Sequence, residues 1–132
     1  MSEIYKNRHA AFNLHVHLVF ITKYRKKVLG ERHHDYFSEC VADVCKSFDA
    51  ELKECNGEAD HIHMLIQYPP TVQLSKLVNN LKSVTSRRMR GDFIDLRAAY
   101  SKPVLWSRSY FASSCGGAPL DIIKQYIQNQ QG

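Results

Sequence analysis

Two histidines one residue apart lie in the segment ADHIHMLIQYPP, which runs from Ala59 to Pro70. Alternate side chains of an extended strand share a face, so His61 and His63 would point one way while Ile62 points the other. Two imidazoles on one face could chelate a divalent ion. They could equally lie on the solvated face of a half-buried strand, because a His-x-His pattern is short. Spacing alone leaves both interpretations open.

A second pair with the same spacing occurs in LHVHLVF, where His15 and His17 alternate with apolar residues. We do not expect both pairs to bind metal, so their positions in the fold must choose between them. Polar residues on a central strand of a sheet need partners or a ligand. The topology predicted below places the strand of His61 and His63 in the centre of the sheet, which favours that pair.

The 132 residues are enough for one domain with its own core. Nothing at the N-terminus has the pattern of a signal peptide, and no apolar run approaches the length of about 20 residues that a membrane span requires. We expect a cytoplasmic, nucleoid-associated prokaryotic protein that makes no membrane contact. Its cysteines are spaced too irregularly for a paired Cys-x-x-Cys zinc site, so we expect reduced packing residues at Cys40, Cys45, Cys55 and Cys115.

The net charge of +5 is concentrated in two segments without acidic residues, TKYRKK from Thr22 and LKSVTSRRMR from Leu81. Such clusters suit a polyanion, although they could also be ordinary solvated faces. Aromatic residues in or beyond these clusters could stack on the bases of a single strand, or could belong to the core. They are Tyr24, Phe93, Tyr100 and Trp106.

Periodicity and turn signals predict alternating strands and helices. Asn56-Gly57 has the composition of a hairpin turn between two antiparallel strands, and Pro119 suits the first turn of a final helix. The predicted strands are Leu14 to Thr22, Ala50 to Cys55, His61 to Tyr68 and one within Val104 to Ser113; the predicted helices are Asp35 to Phe48, Gln73 to Met89 and about 119–130.

This order predicts an α+β, ferredoxin-like split β-α-β domain, in which a central antiparallel sheet carries two helices on one face. The last helix is additional to that pattern. The whole chain, residues 1–132, would form a single domain, in which the flexible Gly116-Gly117 tethers the last helix.

Four segments in this order, DHIHMLI, LKSVTSRRMR, LWSRSYF and GGAPLDIIKQYIQNQ, resemble the small single-tyrosine HUH transposases of bacterial and archaeal insertion sequences, the IS-two-hundred-like family of TnpA-type enzymes. The resemblance spans nearly the whole chain. HUH denotes His, a hydrophobic residue and His, and it maps onto His61, Ile62 and His63. It implies that Tyr126 is the nucleophile and that Gln130 is the third metal ligand, whereas His15 and His17 match no ligand position.

The resemblance implies an obligate homodimer, with composite active sites assembled in trans, that cuts and rejoins single-stranded DNA near hairpins at the element ends. The product of cleavage would be a 5'-phosphotyrosine and a free 3'-OH, and the bound ion would be Mg²⁺ or Mn²⁺. Taken alone, Tyr126 would be assigned to the core of an amphipathic helix. Gln130 follows four residues later, so both side chains would share one face of that helix. For DNA contacts we predict Lys82, Arg87 and Arg88, followed by Lys23 and Arg25.

Two other functions fit parts of the pattern. A ferredoxin-like domain with basic helices could bind RNA by stacking bases on its sheet, although the aromatic strand motif of such modules is absent from the sequence. A metal-dependent phosphohydrolase could use His61 and His63 with water, and Tyr126 would then have no role. A covalent adduct with DNA is expected from the transposase alone.

Overall fold

The structure, a computed structural model, describes residues 5–6, 11–12, 14–114 and 127–129. Two short strands, β1 (Tyr5–Lys6) and β2 (Ala11–Phe12), pair with each other. The main sheet contains β3 (His15–Thr22), β4 (Glu51–Gly57), β5 (His61–Gln67) and β6 (Trp106–Ser114). The helices are α1 (Glu31–Ser47), α2 (Leu74–Asp92) and α3 (Ile94–Ala98), and a 3-10 helix covers Lys23–Arg25.

The strands of the main sheet lie in the order β4-β5-β3-β6, and every neighbouring pair is antiparallel. Helix α1 connects β3 to β4, and α2 and α3 lie between β5 and β6. This is the split β-α-β arrangement, so the predicted fold class is confirmed. Strand β5 has a hydrogen-bonded neighbour on each side, as predicted for the strand that carries His61 and His63. Strand β3, which carries His15 and His17, is central too, so a central position does not distinguish the two pairs.

One face of the sheet packs against the two long helices. Every second residue of β3, namely Val16, Leu18 and Phe20, belongs to a single buried cluster that also contains Phe37 of α1 and Leu81 of α2. The alternate residues of each strand must then lie on the opposite face. We call that second surface the open face.

Trp106 belongs to the core between the sheet and the helices. Its ring centroid lies 5.6 Å from that of Phe20 and 5.5 Å from that of Phe37, and its Nε1–H donates to Thr85 Oγ1 at 2.9 Å. Trp106 is 6 % exposed, so it is a packing residue and its face is not available to a base. Tyr24, in contrast, is 65 % exposed.

The cysteines that the structure describes are packing residues, as predicted. Cys40 and Cys45 are buried and Cys55 is half-buried, and all three are free thiols. Burial raises the pKa of Cys45 to about 12 and that of Cys55 to about 11, which keeps both thiols protonated at neutral pH. Cys115 lies outside the described residues.

Asn56 and Gly57 were predicted to form a hairpin turn, and this prediction is wrong. Both residues lie within β4, and the chain reverses over residues 58–60, where the Glu58 backbone N–H donates to the His61 carbonyl at 2.9 Å. Gly57 is needed for a close approach rather than for a turn, since a Cβ there would lie 2.3 Å from the His61 carbonyl oxygen.

The helices are longer than the sequence predicted. Helix α1 begins at Glu31 rather than Asp35, because the Gly30 N–H donates to His33 Nδ1 at 2.8 Å and caps the first turn. Helix α2 continues to Asp92, and the short α3 was not predicted. Of the predicted final helix, residues 127–129 are helical; the rest, with Gly116-Gly117, lies outside the described residues. No helix in the described ranges has the length and apolar character needed to cross a bilayer.

Candidate active site and nucleic-acid interface

His61 and His63 lie on the open face of the central strand β5. Their neighbour Ile62 points into the main core, which fixes the direction of both imidazoles by alternation. His61 is buried and His63 is half-buried. Across the strand pair, Ile21 of β3 lies opposite His61 and Val19 lies opposite His63. Two ring nitrogens can therefore face one point on this surface.

Asp60 orients the His61 ring. Its Oδ1 lies 3.0 Å from His61 Nδ1, so the carboxylate accepts a hydrogen bond from the Nδ1–H. In that tautomer the lone pair of the ring is on Nε2. A carboxylate behind a histidine in this way is the usual support for a histidine that binds a metal ion.

Arg25 holds Asp60 from the other side. Its Nε and Nη2 lie 3.2 and 3.1 Å from Asp60 Oδ2, and the backbone N–H of Thr22 donates to the Asp60 carbonyl at 3.0 Å. Burial would raise the pKa of Asp60, but the hydrogen bonds from His61 and Arg25 outweigh it and lower that pKa below its usual value. The carboxylate behind His61 is therefore ionised at neutral pH.

The turn that supplies Arg25 has strained backbone dihedrals. Tyr24 and Arg25 have φ angles of 61° and 52°, in the left-handed region that residues with a Cβ seldom adopt. Each such residue costs about 1–3 kcal/mol and persists when surrounding contacts enforce it. Here the Thr22 hydroxyl donates to the Lys26 carbonyl at 2.7 Å, which closes the turn. The result places Arg25 against Asp60 and leaves the Tyr24 ring exposed.

The second histidine of the pair is held in its neutral form. Burial lowers the pKa of His63, the nearby His61 and His17 lower it further, and Glu54 raises it in part. Neutral imidazole is the form that coordinates a metal ion, so this shift favours ligation near neutral pH. His17 lies on the same face, diagonally across from His63, since its direct partner on β5 is Leu65.

The donor set fits a divalent ion only in part. His61 and His63 offer two nitrogens on one face, one of them oriented by a carboxylate. Within the part of the chain that the structure describes, no cluster of three His, Cys, Asp or Glu side chains is placed to hold an ion. A third protein ligand would have to be of another type, and Gln130, predicted for that role, lies outside the described residues, as does Tyr126.

Residues 127–129 nevertheless lie close to this site. Ile127 is 8 % exposed and packs against Val19 and Ile21, which are the cross-strand partners of His63 and His61. Arg25 Nη1 lies 3.4 Å from the Gln128 carbonyl, to which it donates. This short helical segment therefore rests on the open face beside the histidine pair.

The predicted DNA-contact residues do not form one cluster. Lys82 lines a groove of about 390 Å³ between α2 and the segment that leads into β6, and its Nζ donates to the carbonyls of Ser107 and Arg108 at 2.8 and 2.9 Å. Burial lowers the pKa of Lys82, and the charge of Lys23 lowers it further.

Arg87 and Arg88 lie outside that groove. Arg88 Nη1 is 3.2 Å from Asp43 Oδ2 in an exposed ion pair with α1, while Arg87 is exposed. The guanidinium of Arg25 is engaged by Asp60. A role in DNA binding stays a prediction for all of these residues. Arg90, which was not among the predicted DNA contacts, also lines the groove, and its Nε donates to Ser86 Oγ at 3.0 Å.

The support that Asp60 and Arg25 give to His61 was missed from the sequence. Asp60 directly precedes His61, so a carboxylate beside the ligand was visible. Arg25, however, was grouped with its basic neighbours, because nothing in the local pattern shows that it pairs with a residue 35 positions away.

The site of this chain is a histidine pair, supported by a carboxylate, on the open face of a ferredoxin-like sheet. Comparison with known proteins identifies the family. The family described as "Transposase IS200 like" matches residues 10–130. The chain belongs to this family and is a DNA transposase by class.

Individual relatives agree with the family. The chain is 29% identical over 122 residues to the transposase for insertion sequence element IS200 of Salmonella typhimurium, covering 92% of this chain and 80% of the relative. It is 27% identical over 128 residues to the ISDra2 transposase TnpA of Deinococcus radiodurans, covering 97% and 91% of the two chains.

Solved structures show the same fold. A crystal structure of a putative transposase from Deinococcus radiodurans R1 is 28% identical, with a TM-score of 0.84 over 97% of this chain and 98% of that one. A REP-associated tyrosine transposase bound to a REP hairpin has a TM-score of 0.55 at 12% identity, covering 96% and 68% of the chains, which is a likeness of fold.

Proposed function

We propose that this transposase cleaves and rejoins single-stranded DNA at insertion-sequence ends, with Tyr126 as the nucleophile and His61, His63 and Gln130 as ligands of Mg²⁺ or Mn²⁺. The observation that carries the proposal is that the helical segment 127–129 lies beside a histidine that a carboxylate orients. Asp60 fixes His61, and Ile127 packs on the two residues opposite His61 and His63. Residues 127–129, which lie between Tyr126 and Gln130 in the sequence, thus rest beside the histidine pair.

In the proposed reaction Tyr126 attacks the phosphodiester, and His61 and His63 hold the divalent ion. The Tyr126 oxygen would bond to the phosphorus, the bond from phosphorus to the 3'-oxygen would break, and the hydroxyl proton would end on the released 3'-oxygen. The resulting 5'-phosphotyrosine keeps a phosphodiester linkage, so a 3'-OH of another strand can displace the tyrosine without ATP. A divalent ion bound at His61 and His63 would neutralise a phosphate oxygen and orient the group.

The basic segment that contains Lys23 and Arg25 suits a DNA substrate, because cationic side chains can pair with phosphates. The resemblance to hairpin-binding transposases suggests that a hairpin near each element end is also bound, by Lys82, Arg87 and Arg88. We further propose a homodimer whose two active sites each draw residues from both chains.

The proposal is tested by whether the protein forms a covalent adduct with DNA. The protein is incubated with Mn²⁺ and labelled single-stranded DNA that carries the ends of the element, and the products are separated under denaturing conditions. We expect a labelled protein band from the wild type and none from Tyr126→Phe, which should bind the DNA within a few-fold of the wild type because only a hydroxyl is lost. Cleavage without an adduct would indicate a phosphohydrolase, and binding without cleavage would indicate a binding module.

If Tyr126→Phe still forms the adduct, another tyrosine is the nucleophile. Tyr110 is the next candidate by sequence, and it serves as the control here. It lies opposite Phe20 in the sheet and packs against the main core, on the face away from the histidines. We therefore expect Tyr110→Phe to form the adduct normally.

A further inference from the structure

A second cavity lies beside the strained turn and is lined in part by Tyr24, the residue that precedes Arg25. Its volume is about 310 Å³, within the range of pockets that hold small molecules. None of the residues that line it carries a carboxylate, and three carry an ammonium group. They are Lys23, Tyr24, Lys26, Tyr100, Ser101, Lys102 and Val104. We call this cavity the lysine-tyrosine pocket.

The exposed wall of the lysine-tyrosine pocket is the ring of Tyr24. This side chain is 65 % exposed although its backbone is held in the left-handed region. The Tyr24 ring therefore adds little to the core, and its face is accessible to a ligand. Lys23 Nζ lies 5.3 Å from the centroid of this ring, close enough for a cation–π contact.

The inner wall is fixed by contacts of its own. The Tyr100 hydroxyl donates to the Lys23 carbonyl at 2.8 Å, and Tyr100 is 8 % exposed. Lys26 Nζ lies 4.8 Å from the Tyr100 centroid and donates to the Ala99 carbonyl. The ammonium group of Lys26 is therefore held at the wall before any ligand arrives, which lowers the ordering cost of binding an anion.

The position of the pocket connects it to the histidine pair. Tyr24 and Arg25 are consecutive in one strained turn, and Arg25 contacts the carboxylate that orients His61. The lysine-tyrosine pocket therefore adjoins the turn that supports the histidine pair. An aromatic face beside several cations is the arrangement that binds single strands, by stacking with a base and pairing with its phosphates.

We propose that the lysine-tyrosine pocket binds one unpaired nucleotide of the DNA strand, close to the phosphodiester that is cleaved. The base stacks on Tyr24, and the flanking phosphates pair with Lys23, Lys26 and Lys102. This inference rests on the proposed function, since it assigns part of the single-stranded substrate to a place on the protein.

The stacking is tested with a short oligothymidylate that contains one 5-iododeoxyuridine, in the absence of metal. Irradiation should cross-link the iodinated base to Tyr24, as located by mass spectrometry of the peptides. Tyr24→Leu should bind the unmodified oligothymidylate about tenfold more weakly, since an aliphatic side chain lacks the flat face. Tyr24→Trp should bind as well as the wild type. A cross-link outside the pocket, or equal affinities for the Leu and Trp variants, would overturn the proposal.

The phosphate contacts are tested by salt dependence. Lys102→Gln should reduce the slope of log affinity against log salt concentration by about 0.7, the value for one contact with a single strand. Lys46→Gln is the matched control, because Lys46 is an exposed lysine on α1 away from the pocket. Equal slopes for the two variants would show that Lys102 makes no phosphate contact and would overturn this part of the proposal.

Failure of this inference is distinguishable from failure of the proposed function. If the wild type forms the covalent adduct while Tyr24→Leu binds oligothymidylate normally, the transposase chemistry stands and the pocket assignment falls. If the wild type forms no adduct but cross-links at Tyr24, the pocket binds nucleotides and the cleavage mechanism falls.

Discussion

Arg25 and Asp60 form an ion pair directly behind His61, with Arg25 Nη2 at 3.1 Å from Asp60 Oδ2. The other oxygen of the same carboxylate accepts from His61 Nδ1. The Arg25 guanidinium also reaches the Gln128 carbonyl, which lies in the segment between Tyr126 and Gln130. One arginine therefore contacts both the support of a predicted metal ligand and the segment adjoining the predicted nucleophile.

Asp60→Asn should weaken Mn²⁺ binding. The amide lacks the negative charge that makes the His61 ring a better donor to the metal, and loss of such a supporting group typically costs about 10–100-fold in metal affinity. Titration calorimetry of the protein with Mn²⁺ measures this directly, without any DNA.

The matched control for Asp60→Asn is Asp43→Asn. Asp43 also pairs with an arginine, Arg88, but this pair is exposed and lies on the helices. Exposed pairs contribute little, so we expect unchanged Mn²⁺ affinity and nearly unchanged stability. If the two variants bind Mn²⁺ equally well, Asp60 does not support a metal ligand.

The two His-x-His pairs should respond differently to substitution. His61→Ala and His63→Ala should each abolish metal-dependent cleavage, because each removes a ligand. His15→Ala should cleave normally and lose about 1–3 kcal/mol of unfolding free energy, since His15 is 4 % exposed. Urea denaturation and the adduct assay measure the two effects. A folded His15 variant that fails to cleave, beside an active His63 variant, would mean that the wrong pair was chosen.

Patterns within one element were predictable from the sequence. The alternation in HIHMLI fixed which residues of β5 face the helices, and the order of strands and helices fixed the fold class. Relations between distant segments were not predictable. Arg25 pairs with Asp60 because a left-handed turn after β3 lies beside the loop before β5, and neither the turn nor its neighbour has a local signature.

Residue type alone did not predict the role of a residue where the surrounding structure determines that role. Trp106 and Tyr24 were both plausible stacking residues by composition. The structure encloses Trp106 between Phe20 and Phe37 and exposes Tyr24, because their backbone positions differ. Asn56-Gly57 has turn composition, yet Gly57 is required by the close passage of the His61 carbonyl.

His33 should make stability depend on pH. It is 3 % exposed on α1, and burial lowers its pKa below the usual value, only partly offset by Asp95. The unfolded chain therefore binds a proton more readily than the folded one. Unfolding free energy should fall as pH decreases below about 6.5, the pKa of an unperturbed histidine, and should recover above it.

The comparison for this pH effect is His33→Gln, which cannot titrate in that range. Its unfolding free energy, measured by urea denaturation at several pH values, should fall less steeply over the acidic interval than that of the wild type. His34→Gln, the neighbouring and less buried histidine of α1, controls for the loss of a ring. If the His33 variant retains the full acid dependence, His33 is not its source.

The final prediction concerns which chain supplies the nucleophile. Residues 127–129 pack on the open face of their own chain here, through Ile127 against Val19 and Ile21. Gly116-Gly117 precedes the final helix in the sequence and would let that helix dock on a partner instead. We predict a twofold-symmetric dimer in which, in at least one functional state, Tyr126 of one chain faces His61 and His63 of the other.

Mixed dimers of Tyr126→Phe and His63→Ala chains separate the two arrangements. Each homodimer should be inactive. With trans assembly, a mixed dimer has one site with both defects and one with neither, so about half of the adduct formed by a wild-type dimer should return. With cis assembly, every site carries one defect and no adduct forms. Gln130 would travel with Tyr126, but both chains retain it, so the expected fraction is unchanged. Inactive mixed dimers of verified composition would exclude trans assembly and leave the metal-assisted tyrosine mechanism in place.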